Sequence, residues 1–88
     1  MDLEVIRQQI DQVDQELVGL LEKRMTLVDQ VVTFKKTSGK PVFDSKRESI
    51  IFEKVRNRVE DKQYQETIVA TFSDILKRSR DYQGKNIK

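Results

Sequence analysis

Residues 3–36 read LEVIRQQIDQVDQELVGLLEKRMTLVDQVVTFKK, and this stretch decides the fold. Its apolar side chains recur at alternating spacings of three and four residues, which is the periodicity of an amphipathic α-helix. Gly19 interrupts the pattern at a cost of about 1 kcal/mol relative to Ala, and residues 38–41 end it. We therefore predict one helix over residues 3–36. Its apolar stripe consists of Leu3, Ile6, Ile10, Val13, Leu17, Leu20, Leu27, Val31 and Phe34.

A helix of this length does not fit inside a compact chain of 88 residues. At roughly 1.5 Å per residue it is about 50 Å long, whereas a compact chain of this size has a radius of gyration of about 12 Å. The far end of the helix must therefore contact apolar surface on another chain or stay exposed. Apolar residues are only 36% of the chain, and it has no Cys to form a disulfide. We predict an intertwined homodimer.

Two further helices follow the long one. Asp44 or Ser45 can be the N-cap of the second helix, whose apolar face includes Val55. The third begins after the polar residues 60–63, and Gly84 suits its C-terminal cap. The sequence therefore predicts a single all-α domain over residues 1–88, with helices at about 3–36, 45–59 and 64–83.

The composition excludes several kinds of chemistry. The chain has no Cys and no His, which removes thiol nucleophiles, imidazole bases and zinc sites of the Cys/His kind. Its 17 basic and 15 acidic residues are interspersed, so the net charge of +2 does not favour nucleic acid. The first residues are acidic, and no run approaches the roughly 20 apolar residues of a membrane span. We expect a cytoplasmic protein without cofactor, metal, nucleic-acid or membrane partner.

Four polar residues occupy positions where the helical pattern predicts apolar ones. Arg24 and Lys35 lie eleven residues apart, and therefore on one face of the long helix. Ser79 and Gln83 continue the apolar face of the third helix. Either cation alone would more often lie at the edge of the stripe with its charge in water. Two buried cations need an anionic partner, and no Asp or Glu lies between them on this face. We predict an anionic ligand between the helices.

Arg7, Arg47 and Glu48 each have a functional and a structural interpretation. Arg7 lies 17 residues before Arg24, roughly 25 Å along the helix, so both can reach one small molecule only in an antiparallel dimer. Alone, Arg7 is more often a solvated residue of the first turn. Glu48 can close a capping box that opens at Ser45, with Arg47 exposed beside it. We interpret three further cations as a solvated face of the third helix: Lys77, Arg78 and Arg80.

Together these residues resemble the all-helical class of chorismate mutases over nearly the whole chain. The resemblance implies three helices per chain, two interleaved chains and two equivalent active sites. It also implies the conversion of chorismate to prephenate, the step that leads to phenylalanine and tyrosine. The matching pieces, in order, are Ile6-Arg7 with Ile10-Asp11 and Asp14; residues 20–24; Lys35; residues 41–44 followed by Arg47-Glu48; and Ser79 with Gln83.

The resemblance further implies how each residue acts. The reaction is an intramolecular Claisen rearrangement, which needs no nucleophile, metal or proton shuttle. Arg24 and Arg7 of the partner subunit would bind the two carboxylates of chorismate, because planar guanidinium groups match carboxylate geometry. Lys35 and Gln83 would donate to the ether oxygen, where negative charge develops.

The remaining implied roles concern binding and orientation. Glu48 would accept from the ring hydroxyl of chorismate, and Asp44 would support that end. Arg47 would add positive charge, and Ser79 would donate to a carboxylate. The resemblance therefore implies Arg24, Lys35, Glu48 and Gln83 as catalytic residues, with Arg7, Asp44, Arg47 and Ser79 as further substrate-binding residues.

Two alternatives stay open. An isochorismate pyruvate lyase shares the fold, although residues 41–48 fit the mutase pattern better. A non-catalytic helical dimer would explain the long helix and its apolar stripe. It would not explain polar residues on the interior faces of two helices.

Overall fold

The computed structural model describes residues 1–87, which form three α-helices joined by short connections. The predicted all-α fold with a long N-terminal helix is confirmed, and the helix ends lie within three residues of the predicted ones. A single turn of 3-10 helix at Lys62–Tyr64 precedes the last helix. The helices are α1 (Leu3–Ser38), α2 (Ser45–Arg58) and α3 (Gln65–Asn86).

Capping hydrogen bonds mark both ends of α1. Asp2 is the N-cap, since its Oδ1 accepts from the backbone N–H of Glu4 at 2.9 Å. Gly39 has a φ of 71°, in the left-handed region that favours glycine, and its N–H donates to the Lys35 carbonyl at 3.0 Å. Pro41 follows and cannot continue a helix. α1 therefore spans 36 residues.

The start of α2 excludes the structural interpretation of Glu48 as a capping residue. Asp44 is the N-cap, because its Oδ1 accepts from the Arg47 N–H at 3.0 Å. The alternative of a capping box opening at Ser45 is wrong, since Ser45 is already the first helical residue. The Glu48 carboxylate is not used at the helix end and instead contacts α3.

The predicted cap at Gly84 is also wrong. α3 continues through Gly84 to Asn86, and the N–H of Ile87 donates to the Gln83 carbonyl at 3.0 Å. Within residues 1–87 the residue with positive φ is Gly39, so Gly84 does not make the left-handed turn that such a cap requires. The extension keeps Gln83 inside a regular helix, so the preceding turn of α3 fixes the position of its backbone.

Both α1 and α2 pack on α3. Val28 and Val32 provide the buried apolar face of α1, and they lie beside the periodic stripe rather than in it. The Tyr82 hydroxyl adds a polar contact between α3 and α1 by donating to Asp29 Oδ1 at 2.6 Å. The buried apolar core of the described chain is small, comprising Val28, Val32, Val55 and Leu76. A core of this size is unusual for a domain that folds alone.

Most of the periodic stripe of α1 is exposed within one chain. The chain measures 54 × 24 × 15 Å and has a radius of gyration of 16.0 Å, against about 12 Å for a compact chain of this length. No helix in the described part of the chain combines the length and apolar character of a membrane span. The exposed members of the stripe are Leu3, Ile10, Val13, Leu17, Leu20, Leu27, Val31 and Phe34.

We predict that Val55→Ala lowers the free energy of unfolding by about 2 kcal/mol, because it leaves a cavity in the small core. Val55 is 6% exposed. Urea unfolding followed by far-ultraviolet circular dichroism, at one protein concentration, measures the change. Ile50→Ala is the matched control on the same helix, since Ile50 is 46% exposed, and should cost less than about 1 kcal/mol. Equal losses in both variants would contradict the assignment of the core.

Candidate active site

A cavity of about 340 Å³ lies between the C-terminal half of α1, the start of α2 and the C-terminal half of α3. Apolar side chains from all three helices form part of its wall, including Val28, Ile51 and Leu76. Seven of the eight site residues predicted from the sequence also line it: Arg24, Lys35, Asp44, Arg47, Glu48, Ser79 and Gln83. The fold therefore brings together polar residues from distant parts of the sequence.

Arg24 is held by α3. Its Nη1 donates to the Oγ of Ser79 at 2.5 Å, and that hydroxyl donates in turn to the Ile75 carbonyl at 2.9 Å. Ser79 is 5% exposed, so these bonds form where little water competes. A guanidinium group has five N–H donors in a planar array, and Arg24 can therefore bind Ser79 and an anionic group in the cavity at the same time.

Lys35 joins three segments of the chain. Its Nζ donates to Gln83 Oε1 at 2.8 Å and to the Val42 carbonyl at 2.9 Å. Gln83 is 8% exposed. Because the amide oxygen of Gln83 accepts from Lys35, its NH2 end is the end that can donate to a ligand. Lys35 and Gln83 therefore present a cation and a neutral donor side by side.

The cavity has an excess of positive charge. Burial, and secondly the positive charge of Arg47, lower the pKa of Arg24 below its usual value. Arginine nevertheless stays protonated at neutral pH. The charged side chains of the lining are Arg24, Lys35, Arg47 and Arg80 against Asp44 and Glu48. This excess of two positive charges, in a partly dehydrated site, favours a small dianion.

Arg80 was not predicted as a site residue. We interpreted it as part of a solvated face, and for Arg80 this is wrong: its Nη1 lies 2.6 Å from both carboxylate oxygens of Glu48. Arg78 fits that interpretation, since its side chain is 80% exposed and pairs only loosely with Asp81 at 3.4 Å. The sequence signal that could have found Arg80 is its place directly after Ser79 on the helix face that contributes to the cavity.

Arg7 is the predicted site residue that does not line the cavity. It belongs to the first turns of α1, its side chain is 63% exposed, and its Nη1 lies 4.0 Å from Oε2 of Glu4. Arg24, on the same helix, lies 17 residues further along. Within one chain, Arg7 and Arg24 therefore cannot bind the same small molecule.

Comparison with known proteins identifies the class of the chain. The family model described as chorismate mutase type II matches residues 6–84. A curated relative, the chorismate mutase of Methanocaldococcus jannaschii, is 30% identical over 71 residues, which cover 81% of this chain and 72% of that protein. No solved structure matches significantly. The chain belongs to the type II chorismate mutase family.

Membership of this family confirms the resemblance found in the sequence and defines the activity. The protein is an isomerase that converts chorismate to prephenate. The family match favours this activity over the lyase and over a non-catalytic module, the two alternatives left open by the sequence.

We predict that Ser79→Ala lowers kcat/KM about tenfold, because Arg24 loses the hydroxyl that orients its guanidinium group. Steady-state kinetics at neutral pH measures the effect, and circular dichroism checks that the helices are intact. Ser73→Ala is the matched control, since Ser73 is an exposed serine on the same helix. Its kcat/KM should stay within about twofold of the parent value. A similar loss in both variants would contradict a specific role for Ser79.

Proposed function

We propose that chorismate rearranges to prephenate in the cavity between α1, α2 and α3, with Arg24, Lys35 and Gln83 as its principal contacts. The observation that carries this proposal is the convergence of these three side chains on one cavity with excess positive charge. A role in phenylalanine and tyrosine biosynthesis and a cytoplasmic location, both expected from the sequence, belong to the same proposal.

The proposed chemistry requires position and charge rather than a reacting side chain. One C–O bond of chorismate breaks and one C–C bond forms within the same molecule, so the enzyme must hold the flexible enolpyruvyl arm in a compact shape. Negative charge grows on the ether oxygen as the C–O bond lengthens. Lys35 and the NH2 group of Gln83 would donate to that oxygen. Donors already fixed in a partly dehydrated cavity lower the barrier because they need little reorganisation.

Chorismate is a dianion, and the cations of the cavity would bind its two carboxylates. Arg24 is supported by Ser79 and can present a planar pair of donors. Arg47 adds positive charge close enough to lower the pKa of Arg24. At the opposite end, Glu48 would accept from the ring hydroxyl, and Asp44 would fix the start of α2 through its cap to Arg47.

A second copy of the chain would complete the site. The exposed stripe of α1 supplies the apolar surface for such a dimer, and a small intrachain core makes burial of that stripe favourable. In an antiparallel arrangement, Arg7 of the partner subunit would reach the Arg24 end of the cavity and bind a carboxylate there. The proposal therefore comprises an intertwined homodimer with two shared active sites.

An assay with purified protein tests the proposed site. Chorismate should disappear with matching formation of prephenate, and Arg24→Met and Lys35→Met should each lower kcat/KM by at least about a hundredfold. Arg78→Met is the matched control, because Arg78 is an exposed cation on α3. Full activity in the Arg24 and Lys35 variants would refute the proposed site. Pyruvate release from isochorismate at a higher rate would favour the lyase instead.

We predict that Gln83→Glu moves the activity optimum toward acid. The amide of Gln83 donates at every pH, whereas a carboxylate is ionised near neutrality and repels the charge on the ether oxygen. Protonation restores a donor, so kcat/KM should rise as the pH falls. Gln83→Met is the control, since it removes the donor without a titratable group and should stay impaired at acid pH. A pH–rate profile of Gln83→Glu that matches the parent would exclude the proposed donation.

We predict that Arg7→Ala and Arg24→Ala, each inactive alone, regain activity when their subunits are mixed and exchanged. In the mixed dimer one site keeps both arginines and the other loses both, so random exchange should restore about a quarter of the parent activity. Analytical ultracentrifugation should show a dimer before and after mixing.

Mixing Arg24→Ala with Lys35→Ala is the control for subunit exchange. Both of these residues line the cavity of one chain, so each mixed site still lacks one of them and no activity should return. Proven exchange between Arg7→Ala and Arg24→Ala subunits without any recovery would overturn the shared site.

A further inference from the structure

Arg80 and Glu48 form the closest ion pair between α2 and α3 in the described chain. The Arg80 Nη1 lies 2.6 Å from both Glu48 oxygens. The side chains of Arg80 and Glu48 are 32% and 16% exposed, whereas both members of the Arg78–Asp81 pair are more open to water. Charge-assisted hydrogen bonds this short, in a partly dehydrated place, fix the orientation of a carboxylate.

Phe43 makes a second contact with Arg80. The Arg80 Cζ lies 5.4 Å from the centroid of the Phe43 ring, within the range of a cation–π interaction. Phe43 belongs to the connection before α2, next to the N-cap Asp44. The guanidinium group therefore contacts both an aromatic ring in the connection before α2 and a carboxylate in α2.

This arrangement affects what the other cations of the cavity can do. Glu48 directly follows Arg47 in α2, and Arg24 and Lys35 also line the cavity. A carboxylate without its own partner would attract one of these cations and compete with an anionic substrate for it. With Arg80 bound to Glu48, the positive charge of the other three is not neutralised by Glu48.

The pairing does not prevent Glu48 from binding substrate. Each carboxylate oxygen has two acceptor positions, so Glu48 can accept from Arg80 and from a hydroxyl at once. The two hydrogen bonds from Arg80 would instead fix the orientation of the Glu48 carboxylate, and therefore the direction of its remaining lone pairs. An oriented acceptor loses less conformational entropy when it binds a hydroxyl group.

We propose that Arg80 is a positioning residue, which orients Glu48 to accept from the ring hydroxyl of the substrate and keeps that carboxylate from neutralising the other cations. The inference rests on the proposed role of Glu48. It assigns Arg80 no contact with the reacting atoms. Because a ring-hydroxyl contact is present in both the bound substrate and the transition state, its loss should weaken binding more than turnover.

Steady-state kinetics of Arg80→Met tests this assignment. We expect KM for chorismate to rise about tenfold while kcat changes less than about threefold. Arg80→Lys should have a KM between those of the parent and Arg80→Met. One nitrogen of Arg80 contacts both oxygens of Glu48, and the single nitrogen of a lysine can replace part of that contact. Arg78→Met is the matched control, with the same loss of charge at an exposed position of α3, and should keep the parent KM. Circular dichroism confirms helix content, and if Arg80→Met does not fold, the comparison uses Arg80→Lys and Arg80→Gln.

A double-mutant cycle with Glu48→Gln separates action through Glu48 from direct contact. If Arg80 acts through Glu48, Arg80→Met combined with Glu48→Gln should have a kcat/KM within about threefold of Glu48→Gln alone. Independent, multiplied losses would overturn the proposal and make Arg80 a direct substrate contact. An unchanged KM in folded Arg80→Met would also overturn it.

A substrate analogue gives a readout that a merely structural role would not affect. A chorismate analogue with hydrogen in place of the ring hydroxyl lacks the group that Glu48 accepts from, so Arg80→Met should raise its inhibition constant by less than it raises KM for chorismate. Equal increases in the two constants would overturn the orienting role of Arg80. Parent-like kinetics of Glu48→Met, which has no oxygen to accept from the hydroxyl, would refute the proposed role of Glu48 itself. An impaired Glu48→Met beside a parent-like Arg80→Met would refute the role of Arg80 alone.

Discussion

Cations enclosed between helices are the constraint on which the rest of the structure depends. Taking a guanidinium or ammonium group out of water costs several kcal/mol unless other groups replace its hydration. On α3, Ser79 replaces part of the hydration of Arg24, and Gln83 does the same for Lys35. Neither partner carries a negative charge. The cations are therefore fixed by hydrogen bonds without being neutralised, which leaves their charge available to a dianionic substrate.

The sequence could predict four of the polar residues of the cavity because they break a regular pattern, whereas Asp44, Arg47 and Glu48 were indicated only by the family resemblance. Arg24 and Lys35 stand where a helix of period 3.6 should be apolar, and Ser79 and Gln83 do the same on α3. Such exceptions are visible without knowing how the helices pack. The length of α1 was predictable for a similar reason, since Gly39 and Pro41 mark its end and little before them breaks a helix.

Other features depend on packing that the sequence does not reveal. Val28 and Val32 form the core face of α1, although the regular stripe beside them has the clearer periodicity. Periodicity identifies an apolar face but not the surface that covers it, and α1 has more than one such face. Arg80 sits in a run of cations and enters the cavity only because Glu48 and Phe43 meet it there. Long flexible side chains cannot be assigned to water or interior from spacing alone.

The two halves of α1 lie in different environments, so the stability of the helix should change along its length. Its second half packs on α3, whereas the side chains of residues 7–20 are exposed within one chain. An unsupported helical segment of that length is marginally stable in water. Backbone amides should therefore exchange with solvent in a gradient along α1, fastest near its start. Any molecule that covers the exposed half would slow amide exchange there and reduce the gradient. Formation of the first half of α1 would then be linked to association by mass action.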